Sequence, residues 1–211
     1  MRGIFVTIEG LDFSGKSTLV RALKPLLENT GPPMHFTREP GGTPAAERIR
    51  EVLLDPGLEM DAWTEAYLYA AARADHARVE ILPRLLHGES VLCERYLDSS
   101  VAYQGFGRGL GADAVRELNA WAVGGVVPDR TFYLRLDAGE RERRARNGGA
   151  PLDRIEKVGG QFVRRVEEGF EELARLEPER IKVLDASRSP EELAEVVVGE
   201  IQDLQYTRGD D

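Results

Sequence analysis

The chain is poor in the features that mark secreted and membrane proteins. A single cysteine among 211 residues excludes an internal disulfide, and the apolar run around Cys93 predicts a buried thiol without a chemical role. The sequence lacks an apolar run approaching the ~20 residues that cross a bilayer. Its beginning also lacks the charged, apolar and small-residue parts of a secretory signal. We therefore expect a cytoplasmic protein with no membrane partner.

Positive charge is also scarce. The 28 lysines and arginines are outnumbered by 37 acidic residues, and the formal net charge is −9. Because nucleic-acid backbones are bound by basic surfaces, we expect no nucleic-acid partner, although a local arginine cluster can still bind a small anion. Repeats and low-complexity segments are absent too, and the length suits one domain over 1–211. The main arginine cluster, whose simpler interpretation is a solvated helix face, comprises Arg141, Arg143, Arg144, Arg146 and Arg154.

The apolar pattern predicts an α/β fold. Helical patterns alternate with short apolar runs, and several of these runs are too continuously apolar for a sheet with one exposed face. A parallel sheet covered by helices on both sides is therefore expected. At the start of the last helix, Ser189 and Glu192 form a capping-box pattern. The apolar runs are 3–9, 33–37, 90–95, 130–136 and 181–185, and the helices are expected at about 16–28, 43–54, 61–87, 112–124, 138–146, 153–177 and 190–204.

Residues 10–17 are the most informative segment. They fit the pattern G-x-x-x-x-G-K-[ST], and they lie between an apolar run and an amphipathic helix. Such a turn directs backbone N–H groups and a helix N-terminus at a polyphosphate, while Lys16 adds positive charge and Ser17 a hydroxyl for Mg²⁺. A strand-to-helix turn without a ligand is the alternative. The context on both sides favours a nucleoside triphosphate site.

Two glycine-containing segments are expected to be mobile. Residues 105–111 alternate glycine with other residues, and residues 147–151 interrupt the helical pattern within the arginine cluster. A mobile basic segment beside a phosphate site predicts a lid, here at about 141–154. Its closing would exclude water, which competes with the acceptor of a phosphoryl group.

Polar side chains follow the predicted strands where ligands gather in open α/β sheets. They occupy 37–42 after the second strand, 94–104 after the third, and Asp137 after the fourth. Tyr69 and Arg73 are four residues apart on one helix face, where they could stack on and hydrogen-bond a base. These segments should converge on one site.

Five ordered motifs resemble those of the bacterial thymidylate kinases, and the resemblance covers most of the chain, from about residue 4 to residue 187. The resemblance implies a P-loop NTPase-type three-layer sandwich with a five-stranded parallel sheet and a lid. It also implies a homodimer and Mg²⁺-dependent transfer of the γ-phosphoryl group of ATP to thymidine 5′-monophosphate. The motifs are Glu9-Gly10-Leu11-Asp12-x-x-Gly15-Lys16-Ser17, Thr37-Arg38-Glu39-Pro40-Gly41-Gly42, Tyr69-x-x-x-Arg73, Arg95-Tyr96-x-x-Ser99-Ser100-x-Ala102-Tyr103-Gln104-Gly105 and Asp153-Arg154-Ile155-Glu156.

The resemblance also implies roles for individual residues. In the acceptor site, Arg38 and Arg95 would bind the phosphate, Glu39 would position the sugar and phosphate, and Asp12 would accept from the 3′-hydroxyl. Tyr69, where the family usually has Phe, would stack on thymine. The base edge would be met by Arg73, Ser100 and Gln104, the 5-methyl group by Pro40 and the 2′ position by Tyr103, with Arg50 and Ser99 nearby. The donor phosphates would lie on Gly10, Leu11, Asp12, Phe13, Ser14, Gly15, Lys16, Ser17 and Thr18.

Two departures from the family pattern bear on catalysis. Glu94 replaces the usual Asp before Arg95, which changes the reach of a carboxylate that helps Ser17 to organise Mg²⁺. Phe13 stands where some members place an arginine, so the transferring phosphoryl should be stabilised from the lid instead. We predict that Lys16, Arg95 and Asp12 are catalytic residues. Arg146 or Arg154 is predicted to join them as the lid cation.

Other functions are compatible with parts of this pattern. A kinase for another nucleoside monophosphate or for a deoxynucleoside would use the same cradle. A nucleotide-binding switch would hydrolyse its nucleotide without an acceptor, but the N-K-x-D motif that reads guanine is absent from the sequence. A member of the family that binds without catalysing is the third alternative, and only Glu94 suggests it.

Overall fold

A parallel sheet lies at the centre of the structure, which is a computed structural model describing residues 2–28, 33–147 and 159–209. All five apolar runs predicted from the sequence form strands, with ends that agree to within two residues. Every neighbouring pair is parallel, in the order β2-β3-β1-β4-β5. The predicted α/β class is therefore confirmed. The strands are Phe5–Glu9 (β1), Met34–Arg38 (β2), Ser90–Glu94 (β3), Arg130–Arg135 (β4) and Ile181–Asp185 (β5).

Helices follow each strand and cover the sheet. The last helix begins as the sequence predicts: Ser189 Oγ accepts from the Glu192 N–H at 3.2 Å, and the Glu192 side chain accepts from the Ser189 N–H at 3.0 Å. The helices are Lys16–Leu27 (α1), Pro44–Leu54 (α2), Ala62–His76 (α3), Leu82–Leu86 (α4), Leu97–Ser100 (α5), Ala112–Val123 (α6), Ala138–Asn147 (α7), Gly160–Leu176 (α8) and Pro190–Gly209 (α9), with π-helical segments at Ala77–Ile81 and Val101–Gly107.

Alternate residues of the strands point to opposite faces, and each face has its own core. On one face, Val6 and Ile8 pack with residues of α1 and α9. On the other, Phe5 and Val91 pack with the segment 77–81 and α4, while Tyr133 and Phe170 stack with ring centroids 5.0 Å apart. The sheet is thus the middle of three layers, and Cys93 is buried in it as expected.

The expected mobility of residues 105–111 is wrong for its first part. Residues 101–107 form a buried π-helical segment, and a Cβ on Gly107 would lie 2.7 Å from carbons of Phe162 and Val166. Glycine at this position permits close packing of the segment on α8 rather than motion. The helix predicted over 153–177 begins at Gly160 in the described part, and residues 148–158 lie outside it.

Candidate active site

The phosphate cradle connects β1 to α1. Gly10, with φ of 144°, approaches β4 so closely that a Cβ would lie 2.8 Å from the Leu134 carbonyl oxygen. Gly15, with φ of 99°, is the N-cap residue of α1, and among the described residues no side chain caps that helix. Its first N–H groups therefore point into the cleft, where they can bind an anion. The Ser14 hydroxyl is buried and, within the described ranges, has no hydrogen-bond partner.

Lys16 lies across the cradle, where its Nζ donates to the carbonyl oxygens of Gly10 at 3.2 Å and Leu11 at 2.8 Å. Burial, followed by the positive charge of Arg95, lowers the pKa of Lys16 to about 8, although Asp12 and Glu94 raise it. An added phosphate would counter this effect because it restores the favourable negative charge nearby.

Arg95 follows β3 in a left-handed backbone conformation, with φ of 66°. Its guanidinium donates to the Gly10 carbonyl oxygen at 3.0 Å and to Ser99 Oγ at 3.2 Å, and it pairs with Asp12. Tyr103 Oη donates to the same carboxylate at 3.1 Å. Burial would raise the pKa of Asp12, but Arg95 and Lys16 outweigh it and lower the pKa. Asp12 is therefore an anionic acceptor beside the cradle.

A second buried network lies at the other end of the cleft. Arg73 Nε donates to Glu39 Oε2 at 2.7 Å, and its other nitrogens donate to Ser100, Asn119 and the Tyr96 carbonyl oxygen. The Glu39–Pro40 peptide bond is cis, and the Pro40 carbonyl oxygen accepts from Arg38 and Arg50, each at 2.9 Å.

These groups line one cavity of about 710 Å³. It is continuous from the cradle to the network around Arg73, so the structure brings together most of the residues that the sequence singled out. Gly10 and Leu11 are not in its wall but supply the carbonyl oxygens that hold Lys16. The predicted residues that line the cavity are Asp12, Phe13, Ser14, Gly15, Lys16, Ser17, Thr18, Arg38, Glu39, Pro40, Arg50, Tyr69, Arg73, Glu94, Arg95, Ser99, Ser100, Tyr103 and Gln104.

Comparison with known proteins agrees with this geometry. The model of the thymidylate kinase family matches residues 8–197. The thymidylate kinase of Pelotomaculum thermopropionicum is 49% identical over 191 residues, which cover 90% of this chain and 88% of that protein. That of Deinococcus radiodurans is 46% identical over 192 residues, covering 91% and 93%. The chain belongs to the thymidylate kinase family.

A solved member of the family has the same architecture. The crystal structure of thymidylate kinase from Ehrlichia chaffeensis superposes with a TM-score of 0.74 at 28% identity, covering 96% of this chain and 99% of that one. The predicted family and the predicted fold are both confirmed.

The lid predicted for this thymidylate kinase family member lies only partly within the described residues. Arg146 is exposed near the end of α7, and Arg154 lies outside the described ranges. Within the described part of the predicted lid, Arg144 reaches the cradle, where its guanidinium donates to the Ala186 carbonyl oxygen at 3.0 Å and to the Ser14 carbonyl oxygen at 3.4 Å. Glu140 accepts from its Nε at 2.8 Å and fixes its direction.

Ser17 and Glu94 face each other across the cradle. Ser17 Oγ donates to Glu94 Oε1 at 2.8 Å. This arrangement places a hydroxyl and a carboxylate oxygen side by side at the cradle, and hard oxygen ligands of this kind are those that Mg²⁺ prefers. The residues present therefore fit the predicted metal, with Glu94 in place of the shorter Asp.

Sequence reasoning missed one wall of the cavity. Ala186, Arg188 and Pro190 lie after β5 and, with Arg144, line the cavity beyond the cradle. The signal was available, because the carboxyl end of β5 had to meet the same sheet edge as the other strands. Sequence reasoning also missed four residues that hold the cavity wall in place. Asn119 bonds to Arg73, His76 to Glu39, Glu65 to Gln104, and Arg108 to Glu65.

Proposed function

We propose that the protein transfers the γ-phosphoryl group of ATP to thymidine 5′-monophosphate and so forms thymidine 5′-diphosphate. The observation that carries the proposal is the single cavity of about 710 Å³ that joins the cradle to Arg38 and Arg95. A donor polyphosphate on the cradle and an acceptor phosphate on these arginines would then meet end to end.

Positioning and positive charge are the main requirements of this reaction. Phosphoryl transfer through a loose transition state spreads charge over three equatorial oxygens and needs little covalent help from the protein. Lys16 Nζ and Arg95 Nη1 both donate to the Gly10 carbonyl oxygen, at 3.2 and 3.0 Å. Two positive charges therefore lie together at the cradle, where they can stabilise the transferring group. The acceptor is already anionic near neutral pH, so a strong general base is not required.

Ser17 and Glu94 are the residues that would hold Mg²⁺. Bound there, the ion would offset the charge of the donor phosphates during transfer. Glu94→Asp with Mg²⁺ titration tests this pair: a shift in the Mg²⁺ dependence of turnover is expected, and an unchanged dependence would contradict the assignment.

The acceptor assignment rests on the other end of the cavity. Tyr69 and Arg73 both line it, which suits a base stacked on a ring and bonded at its edge. Tyr103 is held against Asp12 and would crowd a 2′-hydroxyl, which favours deoxyribose. We propose further that residues 1–211 form one kinase domain with its lid at about 141–154. A cytoplasmic location and the lack of a nucleic-acid partner stay predictions.

An acceptor panel tests the function. The purified chain with ATP and Mg²⁺ should form thymidine diphosphate from thymidylate faster than it phosphorylates dUMP, dCMP or thymidine. Preference for one of those three would favour another kinase. Hydrolysis of ATP at the same rate with and without an acceptor would favour a nucleotide-binding switch.

We also propose that the protein is a homodimer. The described helices include none long and apolar enough to pass through a membrane. Helices α3 and α6 carry large aromatic side chains that are exposed on the surface of a single chain. Tyr67 is 58% exposed and Trp121 is 78% exposed. A second copy would cover these surfaces. Light scattering should give the mass of a dimer, and Trp121→Glu should shift it toward the monomer, whereas an unchanged mass would place the interface elsewhere.

A further inference from the structure

Gln104 is held in one orientation of its side-chain amide. It is buried at 2% exposure on the π-helical segment 101–107, and it lines the cavity. Its Nε2 donates to Oε1 of Glu65 on α3 at 2.9 Å. A carboxylate can only accept, so the amide nitrogen must be the atom that faces Glu65. The other amide atom, the carbonyl oxygen Oε1, is then the one available to a ligand in the cavity.

The contacts of Glu65 are those of an ionised carboxylate. It is 1% exposed, and Arg108 binds it through two nitrogens, with Nε donating to Oε1 at 3.1 Å and Nη2 donating to Oε2 at 2.8 Å. Arg108 in turn lies over the Phe162 ring, with Cζ 4.8 Å from its centroid. A two-point pair with a guanidinium favours the charged acceptor state. Glu65 therefore cannot donate to Gln104 and cannot tolerate the flipped amide.

Arg73 supplies the complementary hydrogen-bond donor on the same wall. Of its five N–H groups, the described contacts use four, to Glu39, Ser100, Asn119 and the Tyr96 carbonyl oxygen. The fifth belongs to Nη2 and has no acceptor among the described contacts, and Arg73 and Gln104 both line the cavity. The wall therefore presents one donor and one fixed acceptor.

We propose that Glu65 is a positioning residue that sets base specificity by fixing the amide of Gln104. This inference rests on the proposed function, since it takes the ligand to be a pyrimidine nucleotide. A thymine or uracil edge carries an acceptor at O4 and a donor at N3–H, which match Arg73 and the Gln104 carbonyl oxygen. A cytosine edge carries a donor at N4 and an acceptor at N3. The N4 donor would then face the Arg73 donor, and the N3 acceptor would face the Gln104 carbonyl oxygen, so neither hydrogen bond could form. Glu65 thus makes the site reject cytosine.

Glu65→Gln is the direct test. Glutamine keeps the size of the side chain but can donate as well as accept. The Gln104 amide can therefore flip, so that its oxygen and nitrogen exchange places. Calorimetric titration of the whole chain should show that the affinities for dTMP and dUMP fall together. The preference for dTMP over dCMP should narrow by about tenfold or more, because a buried mismatched pair costs at least that much. Glu172→Gln, at an exposed pair with Arg175, is the matched control and should leave the preference unchanged.

A double-variant cycle separates positioning from general structural damage. If Glu65 acts through Gln104, then Glu65→Gln should have no further effect on the dTMP to dCMP preference once Gln104→Leu is present. Should Glu65→Gln fail to fold, Glu65→Asp provides the same test, because it keeps the charge for Arg108 and withdraws the carboxylate from Gln104.

The outcomes are distinct. The inference is overturned if the folded Glu65→Gln variant keeps the wild-type preference for dTMP over dCMP. It is also overturned if Glu65→Gln changes that preference equally in the wild type and in the Gln104→Leu variant. Because binding is measured rather than turnover, tight and selective dTMP binding without phosphorylation would overturn the proposed function and leave the role of Glu65 supported.

Discussion

Glu9 is expected to make the stability of the fold depend on pH. Its side chain is fully buried at the end of β1, where Oε1 accepts from the Tyr96 N–H at 2.7 Å and Oε2 accepts from Ser99 Oγ at 2.5 Å. Burial, followed by the negative charge of Asp98, raises the pKa of Glu9 to about 7, although Ser99 and Arg95 act in the opposite direction. The folded protein therefore keeps a proton on this carboxyl group that the unfolded chain releases.

The sign and size of the effect follow from this difference. The ordinary pKa of the group is 4.5, so stability should fall as the pH rises from 4.5 to 7, because the unfolded state then binds fewer protons. A difference of roughly 2.5 pKa units, at ~1.4 kcal/mol per unit, gives a loss of about 3 kcal/mol. Glu9→Gln copies the donor and acceptor of the neutral acid. Relative to the wild type, this variant should therefore gain about 2–3 kcal/mol between pH 5 and pH 8.

Urea unfolding of both proteins at pH 5, 6, 7 and 8 measures the difference directly. Glu195→Gln, at an exposed carboxylate on α9, controls for the change of charge. A stability difference between Glu9→Gln and the wild type that is the same at pH 5 and pH 8 would refute the reasoning, because it would show that Glu9 does not take up a proton on folding.

Three further variants test the cradle, the lid and the packing. Lys16→Ala should lower kcat on the order of a thousandfold, since it removes a charge that stabilises the transferring phosphoryl group, and near-normal turnover in a coupled assay would contradict this role. Arg144→Ala should raise KM for ATP about tenfold. Arg143→Ala, at an exposed residue whose partner among the described contacts is Glu140, should have little effect, and equal effects of the two variants would contradict the role of Arg144. Gly107→Ala should lower the free energy of unfolding in urea by about 1–3 kcal/mol because its Cβ meets Phe162 and Val166. Gly160→Ala, whose Cβ would have no described atom within 4 Å, is the control that should not destabilise.

The elements and the cleft residues were predictable because their signals are local. Each strand is a short apolar run, and each cleft segment follows such a run at the carboxyl end. Parallel strands bring those ends to one edge of the sheet, so the order of segments in the chain was enough to place Arg38, Arg95 and the cradle together. Only the segment after β5 was overlooked, although the same rule applied to it.

The residues that hold the cleft in shape could not be predicted in the same way. Glu65, His76 and Asn119 are ordinary members of helical patterns, and nothing near them in the chain marks them as buried. His76 bonds to Glu39 Oε1 at 3.0 Å and to Thr37 Oγ1 at 2.8 Å, contacts that span more than thirty residues of chain. The mobility predicted for 105–111 was wrong at Gly107 for a related reason. A glycine that permits flexibility and one that permits close packing look alike in sequence.

Three arginines of the cleft are bonded to carboxylates of the protein itself. Arg95 pairs with Asp12, Arg73 Nε lies 2.7 Å from Glu39 Oε2, and Arg38 Nη2 lies 3.2 Å from Glu47 Oε2. A phosphate that binds to Arg95 or Arg38 exchanges one anionic partner for another, so the free energy gained is a difference between two ion pairs.

The same pairs offer an advantage, because the long arginine side chains lose their conformational freedom when the protein folds rather than when a nucleotide binds. This exchange explains how a chain with a net charge of −9 can bind two polyanions. Its carboxylates set the geometry of the arginines, and the arginines then have fixed positions in which two phosphates can be aligned for transfer.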